Sequence, residues 1–213
     1  VVFDMDGVIF DTERLVIEFW KEVAKKHNIP NVEHTCIQCL GTNRVRTREI
    51  FLENYGADFP FDPYRAEVTE LFNTHYKGVP LPTKPGVREL LSYLQEQDIK
   101  VGLASSTAQH LVRDEIGTAG LLPYFQTLVC GDMVEHSKPA PDIFLKACEI
   151  LNADPTKSIA IEDSFNGIRS AHCAGMTPIM VPDQVQPTDE IRALAFHVMP
   201  SLLDVLNWLK TLA

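Results

Sequence analysis

No stretch of this chain stays apolar over the roughly 20 consecutive residues that crossing a bilayer requires. Nothing near its start has the charged-then-apolar layout of a secretory signal. The chain opens on Val1 rather than Met, so a few residues are expected ahead of it. Basic excess is also missing: 19 Lys and Arg face 29 Asp and Glu, giving a net charge of −10 at pH 7. General nucleic-acid binding needs cationic surface that displaces counterions from phosphates, so that class of partner is excluded. A small phosphorylated ligand is not, because a few local cations or a metal override the overall sign. Cysteine is sparse and unpatterned. Cys36, Cys39, Cys130, Cys148 and Cys173 form an odd, scattered set, which points to a reduced, cytoplasmic protein rather than a disulfide scaffold. Cys36-Ile37-Gln38-Cys39 has C-x-x-C spacing, but no second Cys or His pair accompanies it, so these read as incidental thiols. Internal repeats and low-complexity segments are absent, and a monomer without a membrane partner is expected.

What remains is ordinary globular composition, 45% hydrophobic and 23% charged, spread over 213 residues. That length is long for one compact domain and short for two, and it fits a core with an inserted accessory domain. Val1 to Phe3 is the visible end of an apolar strand. Periodicity then predicts helices over residues 13–28, 43–55 and 63–76, with Leu15, Val16, Phe19, Trp20 and Val23 on one face of the first. No convincing strand interrupts them. Residues 78–86 concentrate Pro and Gly as a linker does. Beyond it the rhythm alternates: helix 87–97, strand 100–104, helix 108–119, strand 127–130, helix 141–151, strand 158–161, helix 166–174, strand 177–181 and helix 202–212. Such alternation predicts an α/β fold with a Rossmann-like parallel sheet covered on both faces. The all-helical block falls after the first strand and is therefore an insertion. Residues 1–12 and 83–213 form the expected core domain, and residues 13–82 an all-helical cap domain.

Ligands of doubly wound sheets sit at the carboxyl ends of the strands, and the polar clusters follow strand ends repeatedly. Asp4 and Asp6 follow the first, Ser105, Ser106 and Thr107 the second, His136-Ser137-Lys138-Pro139 the third by way of a loop, and Glu162-Asp163-Ser164 the fourth. Carboxylates, hydroxyls and an ammonium thus converge on one edge. Hard oxygen ligands suit a magnesium ion; a cation, hydroxyls and N–H groups at a helix start suit a phosphoryl group.

The segment Asp4-Met5-Asp6-Gly7-Val8-Ile9-Phe10-Asp11-Thr12-Glu13 resembles the first motif of the haloacid dehalogenase superfamily. Ser105 matches the second motif, Lys138 in Ser-Lys-Pro-Ala-Pro-Asp142 the third, and Glu162-Asp163-Ser-Phe-Asn-Gly167 the fourth. The order is right and the set spans the core, while the inserted helices match the family's helical cap. The nearest branch is the β-phosphoglucomutase-like phosphatases; a dehalogenase proper would lack the second aspartate, here Asp6. The resemblance implies that Asp4 attacks phosphorus to form an aspartyl phosphate, with Asp6 as acid and then base. It implies Mg²⁺ held by Asp4, the backbone carbonyl of Asp6 and Asp163, with Glu162 engaging a bound water. Ser105, the N–H of Ser106 and Lys138 would grip the phosphoryl oxygens. Asn166 and Gly167 serve the turn, Asp11 a hinge or cap, and His136 is loop surface. Gly41-Thr42-Asn43-Arg44 resembles the cap segment that meets the substrate's far end, which makes Arg44 the specificity candidate, with Arg46 and Arg48 as rivals.

Mutases of this branch carry a histidine where Val16 stands and a lysine where Leu40 stands. Both departures favour transfer to water. The expected function is a Mg²⁺-dependent phosphatase of a small phosphorylated metabolite such as a sugar phosphate. A sugar-phosphate mutase is the alternative, and a non-catalytic binding module a more distant one, because the acidic and basic set is intact.

Overall fold

The protein is described by a computed structural model covering residues 1–212. Six parallel strands form one sheet in the order β3-β2-β1-β4-β5-β6: β1 (Val2–Phe3), β2 (Gly102–Ser105), β3 (Thr127–Cys130), β4 (Ile159–Glu162), β5 (Thr177–Met180) and β6 (His197–Val198). Side chains alternate across a strand, and the core divides accordingly. Val2, Ala104, Val129 and Ala160 pack on one face against α7 (Asp142–Leu151) and α8 (Phe165–Cys173). Phe3, Leu103, Leu128 and Ile161 pack on the other against α5 (Val87–Glu96), α6 (Gln109–Thr118) and α10 (Leu202–Lys210). With both faces covered, the strands carry apolar residues at nearly every position, as buried parallel strands do.

The chain runs outward from β1 through β2 to β3, then returns to β4 on the other side of β1 and runs outward again. The sheet therefore changes direction between β1 and β4, where α/β proteins open a crevice at the carboxyl ends of their strands. Short segments escaped the sequence reading. β6 spans two residues, and α9 (Asp189–Leu194) spans six behind a Thr188 cap that accepts from the Ile191 N–H. Strands β2 and β4 also end one residue later than expected, so Ser105 and Glu162 are last residues of strands rather than first residues of loops.

Between β1 and β2 the helices α1 (Thr12–His27), α2 (Val32–Cys39), α3 (Arg44–Tyr55) and α4 (Phe61–Tyr76) pack around their own core. Trp20 of α1 sits 4.4 Å from the Phe51 ring and 6.0 Å from Phe61, centroid to centroid. Phe19 and Phe72 meet edge to face at 6.2 Å. Helix α2 was not expected. Its sequence, VEHTCIQC, mixes β-branched residues with polar ones and shows little periodic contrast. The two crossings between core and cap lie side by side. Phe10 bridges Thr83 in antiparallel sense, Asp11 N–H donates to the Pro82 carbonyl and Lys84 N–H to that of Ile9, both at 2.9 Å.

Candidate active site

Asp4 leaves the end of β1 with its N–H donating to the Ile161 carbonyl of β4 at 2.9 Å, which fixes it at the crevice between those strands. Its side chain is 9% exposed. Below it lies Lys138, fully buried, whose ammonium donates to Asp4 Oδ1 at 2.5 Å, to Glu162 Oε1 at 2.6 Å and to the Ala104 carbonyl at 3.0 Å. All three ammonium protons are thereby satisfied. Glu162 is equally committed: its second oxygen accepts from the N–H groups of Asp163 and Ser164, both at 3.1 Å, and from Ser164 Oγ at 3.0 Å. Asp163 differs. It is buried, and its Oδ2 has no hydrogen-bond partner.

One ammonium thus pairs with two of three buried carboxylates, Asp4 and Glu162, and leaves Asp163 without a cation. Burial by itself would lower the Lys138 pKa, but Asp4 and Glu162 hold it above its ordinary value. Burial pushes Asp4 well up, against the pull of Lys138, with Glu162 and Asp6 adding to the rise. Asp163 is pushed up by burial, then by Glu162, Glu13 and Asp4. Asp4, Glu162 and Asp163 offer oxygens within 4.8 Å of one another. An all-oxygen set with net negative charge and a buried, unpartnered carboxylate oxygen suits a hard divalent cation such as Mg²⁺. The approach is tight: Gly7 has φ +82°, and a Cβ there would stand 2.2 Å from Asp163 Oδ2.

Asp6 follows a different path. The chain turns at Gly7, and the Asp6 carboxylate is clamped by two hydroxyls: Thr12 Oγ1 donates to Oδ1 at 2.6 Å and Thr107 Oγ1 to Oδ2 at 3.0 Å. It lines a cleft of about 670 Å³ between core and cap, with Asp4 at the floor. Sequence reasoning assigned no role to Thr12 or Thr107. The Asp11-Thr12 pair and the hydroxyl run after β2 were visible, but their meeting at Asp6 depends on the fold. Glu13, also unassigned, faces the same cleft; burial, then Asp6 and Asp4, push its carboxyl up, and the Gly41 N–H acts the other way.

The structure brings Asp4, Lys138, Glu162 and Asp163 together, with Asp6 above them. Ser105 is buried beneath the cleft, its Oγ accepting from Thr107 N–H at 3.1 Å. Ser106 faces the cleft, and its Oγ donates across the domain boundary to the Gly41 carbonyl at 3.1 Å. Asn166 makes a second bond of this kind, to the Leu40 carbonyl at 3.2 Å. Arg44 reaches the cleft rim but is paired with Asp62 at 3.0 Å and is 66% exposed; Arg46 and Arg48 pair with Glu49, Glu53 and Asp62. Val16 lines the cleft, whereas Leu40 is buried in the cap core. Asp11 makes no cap bond to α1 and instead pairs with Arg14 at 2.7 Å, with Lys84 at 3.8 Å. Cys36 and Cys39 border the cleft as free thiols, and burial raises both, Cys39 to about 12.

A sequence model described as haloacid dehalogenase-like hydrolase matches residues 1–181. The chain is 34% identical over 179 residues to a phosphorylated carbohydrates phosphatase of Thermotoga maritima, covering 84% of this chain and 82% of the relative. It is also 34% identical over 197 residues to the β-phosphoglucomutase of Bacillus subtilis, covering 88% and 84%. The fold is that of a β-phosphoglucomutase from Clostridium difficile, with a TM-score of 0.81 at 24% identity over 99% of this chain and 94% of the other.

Proposed function

We propose that this chain, which belongs to the haloacid dehalogenase-like hydrolases, is a Mg²⁺-dependent phosphatase of small phosphorylated carbohydrates that works through an aspartyl phosphate. The observation that carries the reading is the charge arrangement at Asp4. This carboxylate stands at the cleft floor, held by Lys138 at 2.5 Å, beside an Asp163 oxygen that has no partner. An aspartate so oriented is a nucleophile kept in place before its substrate arrives.

Asp4 attacks phosphorus, the bond from phosphorus to the substrate oxygen breaks, and Asp6 donates its proton to that leaving oxygen. Asp6 then takes a proton from a water molecule, whose oxygen attacks the same phosphorus and frees Asp4. Thr12 and Thr107 keep the Asp6 carboxylate aimed into the cleft through both steps. Asp4, Asp163 and the Asp6 carbonyl would hold Mg²⁺, which would supply positive charge to offset the repulsion of an anionic phosphate by these carboxylates. Glu162 holds Lys138 and the loop after β4, since both its oxygens are engaged by protein donors. Ser106 N–H meets the phosphoryl oxygens, Lys138 acts on them through its charge because its three protons are already engaged, and the seated cap restricts water.

Water is favoured as the acceptor because Val16, at the cleft wall, brings no protonatable group. The mutase alternative is kept in view by the 34% identity to the B. subtilis β-phosphoglucomutase. A panel of sugar and polyol phosphates assayed with Mg²⁺ separates the two. Phosphate release is expected. Isomerisation of a hexose 1-phosphate, primed by a bisphosphate and with little phosphate release, would replace this reading with the mutase.

A further inference from the structure

The far wall of the cleft carries a cation that no motif marked. Helix α4 presents Arg65 and, one turn on, Thr69 to the cavity that Asp4 and Asp6 also line. Residues 13–82 contain five arginines. Four of them have carboxylate partners: Arg14 with Asp11, Arg44 and Arg48 with Asp62, and Arg46 with Glu49 and Glu53. Arg65 pairs with no carboxylate among the described residues. Asp62, which acts on it through space, is already shared by Arg44 and Arg48. Arg65 is also half-buried, where Arg44 is exposed. Burial, and next the Arg44 guanidinium, press its pKa below the ordinary arginine value.

A guanidinium does not give up its proton at neutral pH. A half-buried one without a counter-ion, beside a second cation, is therefore an uncompensated charge turned toward the substrate cavity. The same cavity is lined by Asp4 and Asp6 of the core and by Glu13. A substrate with one anionic group, delivered to Asp4, would leave Arg65 as it stands.

We propose that Arg65 receives a second anionic group of the substrate, remote from the phosphoester that meets Asp4, and so selects substrates bearing two anions. Phosphate and carboxylate both match the flat fork of donors that an arginine offers. Arg44, tied to Asp62 at the rim, contributes less to this choice. The inference rests on the phosphatase reading and adds a substrate class to it.

The test compares kcat/KM on three phosphoester types: a polyol phosphate with a neutral tail, a phosphorylated sugar acid with a carboxylate tail, and a sugar bisphosphate. The wild-type protein is expected to favour one of the two-anion types. Arg65→Ala is expected to lower the ratio of that type to the neutral-tailed one by about tenfold to a hundredfold, mainly through KM. Arg65→Lys should recover part of the ratio, and Arg44→Ala should change it less. The type whose ratio falls further identifies the group as phosphate or carboxylate. An unchanged ratio, or equal losses on all three types, overturns the role of Arg65. Absence of hydrolysis by the wild-type protein on every type fails the phosphatase reading instead. Calorimetric titration of Asp4→Asn protein with the same compounds then decides on Arg65 without turnover. Adding Arg65→Ala must weaken binding of a two-anion compound selectively, and equal binding overturns the proposal.

Discussion

Lys138 and Asp163 lie in the same buried patch and differ in what they lack. Lys138 has all its protons engaged, whereas one oxygen of Asp163 has no partner. An unpaired buried carboxylate costs free energy unless something neutralises it. If Mg²⁺ is that partner, it binds the folded chain far better than the unfolded one, and its binding adds to stability. At a hundredfold excess over Kd the gain is about 2.7 kcal/mol, read as a rise in Tm by calorimetry that a chelator reverses. Asp163→Asn is expected to abolish that rise while raising the Tm of the metal-free protein, because it removes one buried negative charge. A full Mg²⁺ response in Asp163→Asn would take Asp163 out of the metal site.

Single elements position the site by close backbone approach, and helix α8 is the clearest case. Its cap residue Ser164 accepts from Gly167 N–H at 3.0 Å, and the glycine lies so near the Glu162 carboxylate that a Cβ would stand 1.8 Å from Glu162 Cδ. Glu162 is fixed by Lys138 and by three donors in its own loop, so it has little room to yield. Gly167→Ala is expected to cost about 3 kcal/mol by urea denaturation, in the manner of an overpacked core, and to lower activity by disturbing Lys138. Gly117→Ala, at an exposed position of helix α6 with nothing within 4 Å, should stabilise by about 0.5–1 kcal/mol instead. Comparable effects at both positions would refute the packing argument.

The same elements mark what sequence can and cannot deliver. Helices α1, α5 and α7 carry regular apolar stripes and were legible, as was the strand alternation. Asp4, Asp6, Ser105, Lys138, Glu162 and Asp163 were legible as candidates because each lies at or just beyond a strand end in a short local motif. Thr107 reaches Asp6 across 101 positions, so the clamp on that carboxylate left no local trace. Arg65 stands on a helix whose polar face reads as ordinary solvated surface. Only the path of α4 past the cleft gives that arginine its setting. Helix α2 escaped because tertiary packing in the cap, not local preference, holds a β-branched segment helical.

At the scale of the whole molecule, two bonds from core side chains to cap carbonyls seat one domain on the other: Ser106 to Gly41 and Asn166 to Leu40. Between them lies the cleft of about 670 Å³ that joins the Asp4 end to the Arg65 end. No helix among the described residues is long and apolar enough to cross a membrane. The chain's net charge of −10 would repel an anionic substrate, so the local cations of the cleft must decide its capture. The mechanism proposed for this cleft depends on Asp4 becoming covalently phosphorylated. The direct measurement is acid quenching during turnover of a sugar phosphate with Mg²⁺, followed by peptide mapping by mass spectrometry. One phosphoryl group on Asp4 is expected, absent from a folded Asp4→Asn protein that has also lost turnover. A phosphoryl group on another residue, or turnover retained by Asp4→Asn, would contradict the mechanism.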